Sequence, residues 1–243
     1  MKKIWTAGAI GMLAFSLLSL PVSGQNVDEI RAKMINAQGG ESIYRAVKDM
    51  TIKGTIDIVQ QGLSGEITVY KKEPDKRRSD IELMGMLITQ AYDGSIAWFI
   101  NPQTGMVEEM NEEQTTAIKR QAMPIVSALE PDKYGITYKL LGKEDLDGKS
   151  YYVIEQSLTD GFLVKQYVYA DTYLTYKTVY TGAGPTGTEM TTEQISSDYR
   201  EAGGMIMAFS VVSYQDGEEY TSIKLTEVTF NTGLEDSLFI MEK

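Results

Sequence analysis

The sequence predicts a mainly β (α+β) fold: a single strongly curved antiparallel sheet of about eleven strands, forming an incomplete barrel whose concave face is covered by helices. Three observations predict it. Apolar and polar residues alternate over many short segments, turn residues separate those segments at close spacing, and only a few stretches switch to helical period. A sheet with so many strands cannot stay flat, because each strand adds right-handed twist.

The alternation is plainest between Met50 and Gly105. In Met50 to Gln60, Ile52, Ile56 and Ile58 fall on one face with Gly54 between them, and Thr51, Lys53, Thr55 and Asp57 fall on the other. Gln61-Gly62 turns the chain into Leu63 to Lys72, where Ile67 and Val69 alternate with polar residues. Pro74-Asp75 breaks the ladder. Ile81 and Leu83 carry a third strand, Met84 to Tyr92 a fourth, and Asp93-Gly94 turns into Ser95 to Ile100, which carries Trp98. After this meander come Gly135 to Leu146, Lys149 to Leu158, Phe162 to Asp171 and Thr172 to Thr181, joined partly by Asp147-Gly148 and Asp160-Gly161. Gly182 to Gly187 reads as a loop. Gln194 to Ala202, Met205 to Tyr214 and Tyr220 to Asn231 complete a count of eleven or twelve strands.

The helical stretches are few. Val27 to Ala37 repeats Val27, Ile30, Met34 and Ile35 at spacings of three and four, and Gly39-Gly40 stops it. Glu41 to Val47 reads as a second short helix leading into the first strand. Asn111 to Leu129 is the longest, with Asn111 as cap, Gln114 at the capping-box position, and Pro124 splitting it in two. Its apolar side is Ile118, Met123, Ile125, Val126 and Leu129. A broken, methionine-bearing helix between two meanders suits a movable cover over a hydrophobic concavity, or equally a fixed helix that completes the core.

Residues 1–24 carry Lys2 and Lys3, an apolar run from Ile4 to Leu20, and the small-residue exit Pro21-Val-Ser-Gly24, the pattern of a cleaved signal peptide. The domain is then 25–243, exported to the periplasm and soluble after cleavage. The 219 residues left hold 21 basic and 34 acidic side chains, a net of −13 with no basic stripe, so nucleic acid is not an expected partner. No cysteine is present, hence no disulfide and no lipid-modified amino terminus. No histidine is present either, which removes the commonest general base and transition-metal ligand. The acidic pairs Asp28-Glu29, Glu108-Glu109, Glu112-Glu113 and Glu218-Glu219 are neighbours in sequence and therefore diverge in space. No catalytic residue, metal or cofactor is expected, and the chain is not read as an enzyme.

The order of motifs carries a resemblance. A short helix ending in Gly-Gly and a strand with an internal glycine precede Pro74-Asp-Lys-Arg-Arg78, Ala91-Tyr-Asp-Gly94 and Ala97-Trp98-Phe-Ile-Asn-Pro102. Asp198-Tyr-Arg200, Val228-Thr-Phe-Asn231 and Ser237-Leu-Phe239 follow. Together, over nearly the whole chain after the leader, these resemble the outer-membrane lipoprotein-sorting family, the LolA/LolB-like proteins. That resemblance implies a half-barrel carrier with a helix-capped apolar concavity and, as partner, a lipoprotein acyl chain or another lipid. It also implies that an arginine after the early proline latches sheet to cover, a place taken here by Arg78. The tyrosine-rich second half follows the dedicated carriers less closely.

The expected cavity lining is Ile56, Ile58, Ile67, Val69, Leu83, Ile88 and Trp98 from the sheet, with Ile118, Met123 and Val126 from the cover. The function expected is non-catalytic carriage of acyl chains by a monomer, with an inner- or outer-membrane protein as a further partner. The alternative is an envelope sensor or protein-interaction module on the same fold.

Overall fold

The computed structural model describes residues 26–183 and 189–241; the expected signal peptide and most of the loop expected over Gly182 to Gly187 lie outside the described residues. All thirteen strands form one antiparallel sheet. In chain order they are β1 Asp49–Ile58, β2 Leu63–Lys72, β3 Lys76–Leu83, β4 Met86–Tyr92, β5 Ala97–Ile100, β6 Val107–Glu109, β7 Thr137–Leu146, β8 Lys149–Ser157, β9 Leu163–Tyr169, β10 Thr175–Ala183, β11 Glu189–Ala202, β12 Met205–Gln215 and β13 Glu218–Phe230. The spatial order is β6-β5-β4-β3-β2-β1-β13-β12-β11-β10-β9-β8-β7, with no pairing between β6 and β7. The sheet is therefore open, as expected, with one or two strands more than the eleven or twelve counted from the sequence.

This order dictates the rest of the architecture. The chain starts at the centre of the sheet and meanders to one edge. It then has to cross to the opposite edge before meandering back to pair β13 with β1. That crossing is made by α3 (Glu112–Ala122) and two 3₁₀ turns, Ile125–Ala128 and Pro131–Tyr134. α3 begins at the capping box expected from sequence, with the Asn111 side chain and Gln114 bonding each other's backbone amides. Pro124 ends it by removing a donor, and the chain beyond tightens into 3₁₀ geometry. The other helices, α1 (Val27–Ala37) and α2 (Glu41–Ala46), lie where the sequence places them.

The halves join at β1, whose ladder runs to β2 on one side and β13 on the other. A bulge at Lys53/Gly54 relieves the junction. Gly54 is required there, since a Cβ would stand 2.4 Å from the Lys224 carbonyl oxygen. Aspartate-glycine turns close two hairpins, with Asp147 and Gly148, and Asp216 and Gly217, all in the left-handed region.

Candidate functional site

Residues directly opposite in an antiparallel ladder share a face, so the register assigns both faces of the sheet. Gly54 pairs with Ile67, Ile67 with Ile81 and Ile81 with Ile88; Gly65 pairs with both Ile56 and Leu83. These residues form one buried cluster of Ile56, Ile67 and Leu83, with Ile58, Leu63, Val69, Ile81, Ile88 and Ile223 against it. The same face carries Tyr92 and Ala97, on which α3 lays Ile118 and Ala122. It is the covered, concave face. Six of the expected sheet residues thus stand together on it, and Ile118 faces the same side from the cover.

Besides the packing of Ile118 and Ala122, polar contacts hold the cover. Lys71, next on the concave face after Ile67 and Val69, donates to the Met123 carbonyl oxygen at 3.2 Å. Glu73 accepts from the Ile125 amide at 3.0 Å. Burial lowers the Lys71 ammonium and raises the Glu73 carboxyl relative to their ordinary values. Arg77, on the same face, is pushed down to about 10 by burial and stays cationic at neutral pH. At the far side, Arg31 of α1 donates to the Ala128 carbonyl oxygen at 2.8 Å, and Arg45 of α2 meets Glu130 at 2.6 Å. The end of α3 reaches the β8–β9 turn: Arg120 bonds Asp160 at 2.7 Å and lies 4.1 Å above the Phe162 ring. Met123 therefore serves the cover through its carbonyl, and Val126 sits half-buried in the 3₁₀ turn.

Two expectations are corrected. Trp98 pairs with Ala91, which places it on the outer face, opposite Phe99 and Ile88. There its indole N–H donates to the Phe239 carbonyl oxygen at 2.8 Å. Arg78 pairs with Ala91 and Tyr70 on the same outer face, bonds Asp80 at 3.0 Å, and donates to the Leu238 carbonyl oxygen at 3.0 Å. Arg78 fastens the C-terminal segment, not the cover. For Trp98 the physical reason is that β5 is buried on its two faces, by α3 inside and by residues 231–240 outside, so its apolar residues do not reveal which way they point. Arg78 lies on β3 out of phase with Ile81 and Leu83, so strand alternation itself turns it to the outer face. Asp49 secures the start of that outer strap through the amides of Thr232, Gly233 and Leu234 and the Thr232 hydroxyl.

Two cavities lie beneath the cover. One, of about 370 Å³, lies between α3 and β4–β5 and is lined by Ile88, Gln90, Phe99, Met110, Ala117 and Ile118 among others. The second, of about 260 Å³, lies between α1, the 3₁₀ turn at 125–128 and β7–β10. Each is at or below the low end of the roughly 300–1,000 Å³ usual for ligand sites. In the second half of the sheet the concave face changes character. Ile154 pairs with Gln166, Gln166 with Thr178, Thr178 with Gln194, and Gln194 with Ser213. α1 covers the β7–β9 end of this region through Ile30, against Tyr152, Ile154 and Val168. The tyrosines divide by face: Tyr151, Tyr167, Tyr169 and Tyr176 cluster outside, while Tyr138 and Tyr152 lie inside.

Sequence reasoning missed Lys71, Glu73, Arg120, Asp160 and the glutamine stripe. Lys71 was legible, since a lysine in phase with Ile67 and Val69 belongs on the apolar face and needs a partner there. The Arg120–Asp160 pair was not, because nothing local joins residues forty positions apart.

No family model and no curated protein matches the sequence. Among the solved structures similar in fold are the following three. A LolA superfamily protein from Nitrosomonas europaea superposes with TM-score 0.59 at 13% identity, over 86% of this chain and 96% of its own. A DUF1329 family protein from Desulfovibrio piger gives 0.60 at 15%, over 88% and 97%. A putative outer membrane lipoprotein-sorting protein domain from Vibrio parahaemolyticus gives 0.57 at 14%, over 87% and 94%. The chain has the same open, helix-covered half-barrel fold as these three proteins.

Proposed function

We propose that this protein is a non-catalytic carrier that holds the acyl chain of a lipoprotein, or of another lipid, between the concave face of β1–β5 and the cover formed by α3 and the 3₁₀ turn after it. The observation that carries this reading is the cover itself. It is the crossover between the two edges of an open sheet, it lies over an apolar cluster and a cavity, and polar contacts at Lys71, Glu73, Arg31 and Arg120 hold much of it. Such contacts can be replaced by water, so lifting the cover breaks chiefly the apolar packing of Ile118 and Ala122 and leaves the ladder of the sheet intact. Each acyl methylene transferred beneath it is worth about 0.8 kcal/mol, which needs no polar key to hold a chain. The apolar leader at residues 4–20 supports export, and no helix among the described residues is long and apolar enough to cross a membrane.

Native mass spectrometry of the protein purified from a bacterial envelope, followed by organic extraction, tests this. A bound mass that extracts as lipid is the expected result. Protein that arrives empty and takes up no fluorescent fatty acid overturns the reading, and a stoichiometric protein partner in its place would favour an interaction module.

A further inference from the structure

The smaller cavity has a chemistry that acyl-chain binding does not use. Its lining combines Met34, Ile35 and Ile154 with Gln156, Gln166 and Tyr138. Gln156 and Gln166 are half-buried on adjacent strands and bond each other side chain to side chain at 2.7 Å. One bond between two carboxamides leaves donor and acceptor capacity on the pair, whichever way round each amide is turned. The one charged residue of the lining is Arg31, and its guanidinium is committed to the Ala128 carbonyl oxygen, to Asp28 at 3.2 Å and to the Tyr138 ring at 4.1 Å. The cavity therefore offers hydrogen bonds without a free charge. The residues that line it from above, Ser127 and Ala128, belong to the same crossover that roofs the apolar region.

Resting on the carrier reading above, we infer that the cavity under α1 is a second subsite, in which Gln156 and Gln166 bind the uncharged amide or hydroxyl part of an amphiphile whose acyl chain lies under α3. Both subsites lie on the concave face of one sheet, which passes from isoleucines on β1–β4 to the glutamine, threonine and serine stripe on β8–β12, and one crossover roofs both. An uncharged group gains one or two hydrogen bonds there. A carboxylate or phosphate has to compete with Asp28 and the Ala128 carbonyl for Arg31 and bears the cost of desolvation. The shared chemistry, a neutral hydrogen-bonding group joined to an acyl chain, is found both in an N-acylated protein terminus and in a neutral glycerolipid.

Equilibrium binding of four probes to the full chain tests the inference: palmitamide, monopalmitoylglycerol, palmitate and the uncharged apolar dye N-phenylnaphthylamine. Palmitamide or monopalmitoylglycerol is expected to bind at least tenfold more tightly than palmitate; preference for the amide points to an N-acyl terminus, and preference for the glycerol ester to a glycerolipid. The double variant Gln156→Met, Gln166→Met, which keeps side-chain length, is expected to weaken the preferred neutral ligand about tenfold and leave dye binding unchanged. Either single variant replaces it where the double variant does not fold. Dye binding with no neutral preference, or a preference that survives in the variants, overturns this inference and leaves the carrier reading standing. No binding of any probe overturns both.

Discussion

At the scale of single residues, Asp49 shows how a few atoms fix a long segment. Its carboxylate collects four hydrogen bonds from residues 232–234. Burial pushes its carboxyl up, and the bonds from Thr232, Gly233 and Leu234 outweigh this, so it sits below the ordinary 3.8. A carboxylate lowered by folding contributes stability in full above its unfolded value and loses it as pH falls through the folded one. Asp49→Asn is therefore expected to cost about 2 kcal/mol at pH 7. In urea titrations the gap between variant and parent should close below about pH 3.8, and a gap that persisted in acid would show that shape, not charge, does the work. Trp98 and Arg78 act on the same strap. The direction of Trp98 was hidden in the sequence, because a strand buried on both faces carries no period-two signal, whereas that of Arg78 was legible from its being out of phase with Ile81 and Leu83.

At the scale of elements, the junction and the cover behave differently. β1 joins the two halves, and its bulge at Gly54 leaves no room for a side chain. Gly54→Ala is expected to destabilise the whole molecule by about 2 kcal/mol, as overpacking does, with a single unfolding transition by fluorescence and circular dichroism. Two separated transitions would mean that the halves fold as independent units. The cover should respond in rate more than in stability. Lys71→Met together with Glu73→Met removes the hydrogen bonds to the Met123 carbonyl and from the Ile125 amide. Exchange of a bound fluorescent fatty acid is expected to quicken severalfold in that variant, while its urea midpoint stays within about 1 kcal/mol of the parent, because each bond is worth about that much net. An unchanged exchange rate would show that these contacts do not hold the cover. Most strand positions and the capping box of α3 were legible in the sequence, since period, turn chemistry and capping are local. The route of the crossover over the concave face was not, because strand order depends on which edges pair across the whole chain.

At the scale of the molecule, one open sheet presents two chemically distinct inner surfaces. Isoleucines in phase on β1–β4 were readable as a concave apolar face, and Ile56, Ile58, Ile67, Val69, Leu83 and Ile88 do share it. The glutamine stripe was unreadable as an inner surface because both faces of β8 and β9 carry buried apolar residues, so no alternation marks the inner one. The central claim is that an acyl chain lies against β1–β5 under α3. Photo-crosslinking with a palmitoyl probe carrying a diazirine near its methyl end tests this most directly, with the labelled peptides located by mass spectrometry. Labels are expected within residues 52–100 on the Ile67, Ile81 and Ile88 face and within 112–122. Labels confined to the outer face around Trp98 and Phe239, or none at all, would contradict the account.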